Sequence, residues 1–378
     1  MNSTKIILVG EGTAEPTTGF QLARNFFPND NVTFYFGVRR TTEGLEQLDM
    51  PDTKVVANFP GRGMRDITCP ISVCSLSSYA VHRAIISGRL KPDAVLVVAT
   101  PPDDNGIRSI GTANGPIAAA LKEAPVIFIE EFSDLKVIPG APTIPGDREI
   151  QVISHKPAAF TALSRRPDEA DIIIARHIAS LIPDSAAIQL GVGGIIEALS
   201  QTLINKKDLI SISGAIGSAI RQLDEQGSLN PHHKIYGSSL VGDDELIQWA
   251  ENHPLIELLP SDKIHNPRWL AQTPHFYSIN IAISADLGGN INAETIAGRH
   301  ISGKGGSPSF SKGAHLSENG LSIFALRTDK ENTLVNYIEK PTVHARFVDC
   351  LVTEKGVAIL KGKSSKERAT LIQSIFPH

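Results

Sequence analysis

Cysteine is nearly absent: Cys69, Cys74 and Cys350 are the only three in 378 residues. So few, so scattered, build no disulfide framework, and no CxxC or Cys/His pair stands at zinc-ligand spacing. A basic run is missing too. With 36 Lys and Arg against 40 Asp and Glu, the net charge is −4, which gives no electrostatic case for nucleic acid. No apolar stretch approaches the roughly 20 residues that cross a bilayer. At the N-terminus, Ile6-Ile7-Leu8-Val9 offers four apolar residues before Gly10, too short for a signal-peptide core. Short-period repeats and low-complexity tracts are also lacking. The expectation is a soluble, cytoplasmic protein without a metal site or a permanently bound cofactor.

What the chain has is ordinary globular composition, 41% hydrophobic and 20% charged, over a length that accommodates two domains. Strand-like runs alternate with helical patterns, the mark of an α/β fold with mainly parallel sheets. Strands are expected at 5–9, 32–36, 54–57, 94–98 and 126–129, with helices at 78–87 and 116–122. Prolines 139, 142, 145, 157 and 167 then crowd one region, as in a crossover between domains. Beyond it come a helix at 168–181, strands at 186–190 and 209–212, a helix at 243–251 and strands at 277–283, 321–326 and 347–353. A last helix, 365–375, is announced by the capping box Ser364 and Glu367. Each half opens with a strand, a glycine turn and a helix, a pattern compatible with two similar halves, and two α/β domains are expected, 1–160 and 161–378.

The stretch 277–328 carries the strongest functional signal. After the alternating run Tyr277 to Ile283 it turns glycine-rich, tightest at Gly303-Lys304-Gly305-Gly306-Ser307-Pro308-Ser309-Phe310, with Lys312 beyond. Glycines admit close approach of another molecule and positive φ. Their successive N–H groups can line an anion- or carbonyl-binding concavity, with Lys304 and Lys312 adding positive charge.

Gln189-Leu190-Gly191-Val192-Gly193-Gly194-Ile195-Ile196 ends a strand and starts a helix, so free N–H groups and the helix dipole converge on one spot. A carbonyl oxygen there would be polarised as negative charge develops on it, making Gly193 and Gly194 an oxyanion loop. By contrast, Gly10-Glu11-Gly12 lacks the third glycine of a dinucleotide fingerprint and reads as a tight turn. Ala99 to Gly106 forms a proline- and aspartate-rich turn at a strand end, where ligands of open α/β sheets gather. Glu130 and Glu131 end the next strand, and one of them is expected at the substrate. Among the histidines, His300 stands between Arg299 and the glycine loop as the candidate base. His232-His233 reads as a solvated turn.

These motifs resemble those of the acetyl-CoA hydrolase / 4-hydroxybutyrate CoA-transferase family, within the class I CoA-transferases. Asn280, Ala282, Asp286, Leu287, Gly289, Asn292, Ala293 and Glu294 match its "N-x-A-x-x-x-D-L-x-G-x-x-N-A-E" strand and turn. Ser302, Gly303, Gly305, Gly306, Phe310, Gly313 and Ala314 match its "S-G-x-G-G-Q-x-D-F-x-x-G-A" loop, with Ser307 and Ser309 in place of the Gln and Asp. The 189–198 segment is similar to its "L-Q-x-G-I-G-x-I-P-[DE]-A" loop, with Ile196 for the Pro. The segment from Val352 to Ala369 is similar to "V-T-E-Y-G-V-A…E-R-A", with Lys355 for the Tyr. The resemblance runs from about Pro70 onward. It implies paired α/β domains around an interdomain site, acyl-CoA as substrate, a homodimer or homotetramer, CoA contacts at Gly191, Ile195, Lys304, Gly305, Gly306, Phe310 and Lys312, and substrate contacts at Asn280 and Glu130.

One departure concerns mechanism. Such CoA-transferases work through a glutamate in a pattern like "D-L-G-[IV]-H-[ST]-E-M-x-x-D-G", whose carboxylate attacks the thioester. The matching stretch runs from Asp208 to Ala219 and puts Gly214 at the glutamate; no Asp or Glu lies between Asp208 and Asp224. Three readings stand. In the first, which the sequence favours, the acyl group passes from CoA directly to a small amine, alcohol or water, with His300 or a first-domain carboxylate as base and Gly214 leaving room for the acceptor. In the second, CoA transfer to a carboxylic acid survives by ternary attack or through Glu197 or Glu294. In the third, the protein binds acyl-CoA without catalysis.

Overall fold

A computed structural model describes residues 3–64, 67–144, 148–155 and 165–376. The chain divides into two compact units. One comprises Met1–Thr161, Ser238–Asp262 and His300–Gly305; the other comprises Ala162–Gly237, Lys263–Arg299 and Gly306–His378. The expected boundary at 160/161, with Pro145 and Pro157, lies outside the described residues.

The first unit is built on seven strands: β1 (Thr4–Val9), β2 (Asn31–Phe36), β3 (Thr53–Ala57), β4 (Ile71–Val73), β5 (Ala94–Ala99), β6 (Val126–Glu131) and β7 (Glu149–Ser154). They pair in parallel in the order β4-β3-β2-β1-β5-β6-β7. Strand β7 falls in the proline-crowded region that reads as a crossover; its half-exposed, weakly alternating sequence hides it. Every residue of β5 is buried, as expected of a central parallel strand covered on both faces. Side chains of period two divide between two cores. Ile7, Val9, Phe34, Phe36, Leu96 and Phe128 pack with Phe20 of α1 (Phe20–Asn25) on one face. Leu8, Val95, Val97, Ile127 and Ile129 pack on the other with Val81 and Ile85 of α2 (Ser78–Ile86) and Leu121 of α3 (Ile117–Glu123).

The second unit centres on six strands: β8 (Ala187–Leu190), β9 (Ile210–Ser211), β10 (Phe276–Ile281), β11 (Leu321–Ala325), β12 (Cys350–Thr353) and β13 (Gly356–Ile359). Their order is β13-β12-β11-β10-β8-β9, parallel except for the β12–β13 hairpin. Helices α4 (Glu169–Leu181) and α5 (Gly194–Leu203) flank β8 in sequence, followed by α6 (Ser218–Glu225). Helix α7 (Asp244–Glu251), capped by Asp243, belongs to the first unit. The short α8 (Ser261–Ile264) and α9 (Pro267–Leu270) precede β10. Residues 307–316, read from sequence as a loop, form helix α10 (Ser307–Leu316): Pro308 sits in its first turn, where its missing N–H costs nothing. The expected capping box, Ser364 with Glu367, starts α11 (Ser365–Ser374).

Glu130 is a correction to the sequence reading. At the end of β6 it is fully buried, and its carboxylate accepts the N–H groups of Thr17, Thr18 and Gly19 at 2.8–3.0 Å, just before α1. His155 Nδ1 lies 2.7 Å away. Its oxygens are thus taken up inside the unit, where they tie a helix N-terminus down rather than meet a substrate. Burial pushes this carboxyl upward, but His155 and the three N–H groups outweigh it and hold it below its ordinary 4.5. A carboxyl depressed by folding contributes stability that is present above its unfolded value and lost as pH falls through the folded one. Glu130→Gln should therefore destabilise the protein by about 3–5 kcal/mol at neutral pH. In urea unfolding the gap to the unaltered protein should close as pH drops below 4.5; a gap independent of pH would contradict this.

Candidate functional site

In the second unit, β8 pairs with β9, the next strand in the chain, on one side and with β10 on the other. The strand order thus reverses beside β8, and open α/β sheets bind ligands outside the carboxyl ends of the strands at such a reversal. Glycine lines it. Gly191 follows β8 beside the Ile279 carbonyl, and Gly193 takes φ 124° and ψ 173°, a conformation essentially confined to glycine. That turn starts α5. No side chain caps the helix, and the Gly193 carbonyl accepts the N–H groups of Ile196 and Glu197. The Gly194 and Ile195 N–H groups are left without partners among the described residues. These orphan donors, with the helix dipole behind them, stand where the sequence reading expects an anion or carbonyl oxygen. The Ile195 side chain is buried, so Ile195 can contribute only its backbone there.

Gly194 is small for a further reason. A Cβ on it would lie 2.8 Å from Oδ2 of Asp171, a fully buried carboxylate in the first turn of α4. Asp171 is held by Arg165 at 2.7 Å and Arg327 at 3.1 Å. Bonds to Asp329 and Asp168 in turn raise the pKa of Arg327. Below the crevice the Asn280 amide donates to Gln189 Oε1 (3.2 Å), a buried polar pair across β10 and β8. Val192 and Ile281 remain exposed at 45% and 36%, and Ile281 Cδ1 lies 3.6 Å from where a Gly193 Cβ would sit. The rim is apolar.

Strand β9 runs into Ser213, whose hydroxyl accepts the Leu190 N–H (3.0 Å), and then Gly214. The expected room above Gly214 is occupied. A Cβ there would lie 3.1 Å from His265 Nε2 and 3.3 Å from Phe310 Cε2. The imidazole between α8 and α9, on a residue that the sequence reading did not single out, fills that space. Sequence offers little to find it: Asn266-Pro267 announces a helix start, and nothing in the pattern ties His265 to a glycine fifty residues earlier. Phe310, implied as a CoA contact, is a core side chain instead, 2% exposed, stacking edgewise on His265 at 5.2 Å and near Phe276 at 6.4 Å. Lys312 stands exposed on α10, its ammonium 5.6 Å from the Phe347 ring, and not in a loop.

Each alternative carboxylate has one oxygen engaged in a hydrogen bond. Glu197 accepts from the Ser218 hydroxyl at 2.5 Å, and Glu294 is buried with Oε2 bonded to Thr342. His300, Lys304 and Gly305 belong to the first unit. There the buried Nδ1 of His300 makes no hydrogen bond among the described residues. Gly303 abuts the Asn58 carbonyl and Gly305 faces the Phe59 ring, so both glycines answer to close packing within their own unit. The Ala99–Gly106 turn is closed by Asp103, which accepts from Asn105 and Ile107, and most of it is exposed. Among the described residues no cluster of His, Cys, Asp or Glu could hold a metal, and no helix is long and apolar enough to cross a membrane.

Residues 242–376 match the acetyl-CoA hydrolase/transferase C-terminal domain. The 4-hydroxybutyrate coenzyme A transferase of Clostridium kluyveri is 30% identical over 316 residues, 79% of this chain and 72% of its own length. A probable butyrate:acetyl-CoA coenzyme A-transferase of Syntrophomonas wolfei is 29% identical over 304 residues, 73% of this chain and 66% of its own length. The crystal structure of RipA from Yersinia pestis superposes with a TM-score of 0.84 at 21% identity, covering 100% of this chain and 92% of that one, a likeness of fold. The chain belongs to the acetyl-CoA hydrolase/transferase family, among relatives that are acyl-CoA:carboxylate CoA-transferases.

Proposed function

We infer that this chain transfers coenzyme A from an acyl-CoA thioester to a small carboxylic acid, and that the acid itself attacks the thioester. The observation that carries this is the open α5 N-terminus at Gly193-Gly194, beside a Gly214 that has no carboxylate to offer. The named relatives supply the reaction class. An oxygen of the acid adds to the thioester carbon, and the charge driven onto the carbonyl oxygen meets the Gly194 and Ile195 N–H groups. The C–S bond breaks, giving a mixed anhydride and CoA thiolate. The thiolate then attacks the acceptor's acyl carbon, and the C–O bond breaks to release the donor acid. No proton is gained or lost. The exposed Val192 and Ile281 favour an aliphatic acyl group.

Gly214 also favours a second reading, acyl transfer to water, an amine or an alcohol, with no CoA acceptor. Incubation with butyryl-CoA and acetate, followed by mass spectrometry, separates the two. Acetyl-CoA should form, with intersecting rather than parallel double-reciprocal lines because both substrates must be bound together. Free CoA accumulating with butyrate, an amide or an ester, and no acetyl-CoA, would overturn CoA transfer.

Gly193→Ala would force a side chain into a φ of 124° at a cost of about 1–3 kcal/mol. By moving the oxyanion donors it should lower kcat roughly 10²-fold, read as CoA exchange per second. Gly214→Glu should convert the enzyme to covalent transfer, with a protein-bound CoA thioester detectable by intact-mass measurement once His265 shifts by a few tenths of an ångström. A variant that folds, binds butyryl-CoA and never carries the adduct would remove Gly214 from the thioester.

A further inference from the structure

The seven-stranded sheet of the first unit has two unlike edges. Strand β4 forms one with three residues, too short to template another chain. Strand β7 forms the other with six. It carries a single charge, Glu149 at its start, and neither the lysine nor the proline that guards sheet edges. Its backbone can be accounted for group by group. The N–H groups of Glu149 and His155 donate to the Pro125 and Glu131 carbonyls at 3.3 and 2.9 Å, so the odd-numbered residues turn their polar groups towards β6. In a parallel ladder alternate residues face opposite ways, which points the groups of Ile150, Val152 and Ser154 away from the sheet. The Ser154 carbonyl accepts the Thr18 hydroxyl at 3.2 Å. The N–H and C=O groups of Ile150 and Val152 have no partner among the described residues. Side chains alternate as well. Ile150 packs into the core beneath α3, so Val152, 47% exposed, stands on that same face. Ile153 lies on the α1 face, its Cδ1 3.1 Å from where a Gly19 Cβ would sit. Exposed Leu22 and Phe26 continue the apolar surface there, and Phe26 meets Phe128, the β6 neighbour of Gln151.

We propose that β7 pairs antiparallel with β7 of a second copy of this chain, about a two-fold axis perpendicular to the sheet, so that two first units share one continuous sheet. Such an axis keeps every side chain on its own face only when even-numbered residues oppose even ones and odd oppose odd. Among those registers, the one with Gln151 opposite its own mate sets Ile150 opposite Val152 on both sides of the axis. Both residues offer free N–H and C=O groups, so each of these pairs exchanges two hydrogen bonds. Their aliphatic side chains meet on the α3 face as a cross-strand pair. Moving the axis to Val152 would set Ile150 against Ser154, whose carbonyl is already engaged by Thr18. This self-complementarity identifies the occupant. The two outward-facing residues of β7 that lack partners are the two that satisfy each other across the axis. A two-fold contact also consumes both free edges and closes, whereas a contact that does not close would continue into a filament.

Analytical ultracentrifugation of the full chain over a range of concentrations tests this. The unaltered protein should sediment at twice the monomer mass or a multiple of it. Val152→Pro removes an N–H that makes no bond inside the unit, so the fold should survive, as thermal melting followed by circular dichroism would show. Across the axis the same change deletes one bond of each pair and orphans the opposing carbonyl. It should weaken self-association about 100-fold or more. Gln151→Cys reads the register. Residues opposite themselves at a non-hydrogen-bonded position have their Cα atoms about 4.5 Å apart, within disulfide reach, so mild oxidation should link two copies. Glu149→Cys, on the same face but away from the axis, should not link. The unaltered chain is the background control, since Cys69 and Cys350 are buried and Cys74 half-buried. A monomer at every concentration, a folded Val152→Pro variant with the unaltered association, or equal cross-linking at 149 and 151 would each overturn the pairing. If Val152→Pro does not fold, the two cysteine variants decide the matter alone.

Discussion

The backbone at Gly193 is the constraint on which the second unit's site depends. Its positive φ turns the chain from β8 into α5 so abruptly that the helix begins without a capping side chain. The orphan N–H groups of a helix start demand a partner. The first unit meets that demand internally: the N–H groups of Thr17, Thr18 and Gly19, just ahead of α1, are closed by the Glu130 carboxylate. In the second unit the corresponding donors are left open. The same α/β architecture therefore makes a structural tie in one place and leaves unpaired donors in the other, and the difference is one buried glutamate.

Close approach is the second theme. Glycines 194, 214 and 306 are each confronted by side chains of their own unit: Asp171 with Arg165 at the first, His265 with Phe310 at the other two. A glycine in a loop motif invites the thought that a ligand needs the space. Here much of the space belongs to the protein's own side chains. Buried Asp171 does not weaken the anion site, because two guanidinium groups neutralise it.

For Gly214 these observations give a mechanism its chemistry. A glycine at a nucleophile's position ordinarily means loss of function. In the CoA-transfer reading, an exogenous carboxylate does what a tethered one would. Binding the nucleophile from solution sacrifices some entropic advantage. It also removes the covalent intermediate and makes the choice of acid a property of the pocket.

The sequence by itself determined the two α/β units, most strands and helices, and the glycine turn at 191–194, because each rests on local periodicity, capping chemistry or the absence of a Cβ. Parallel strands such as β5 read clearly as unbroken apolar runs. Strand β7 did not, being half-exposed at the sheet's edge, and α10 was masked by the glycines and proline around its start. Only tertiary structure decided which polar groups are occupied. Glu130 looked free at a strand end and is bound by four groups, all distant in sequence. His265 looked like the prelude to a helix and lies against Gly214 and Gly306. No local pattern encodes such pairings, because they arise where separate strands of a parallel sheet bring their carboxyl ends to the same crevice.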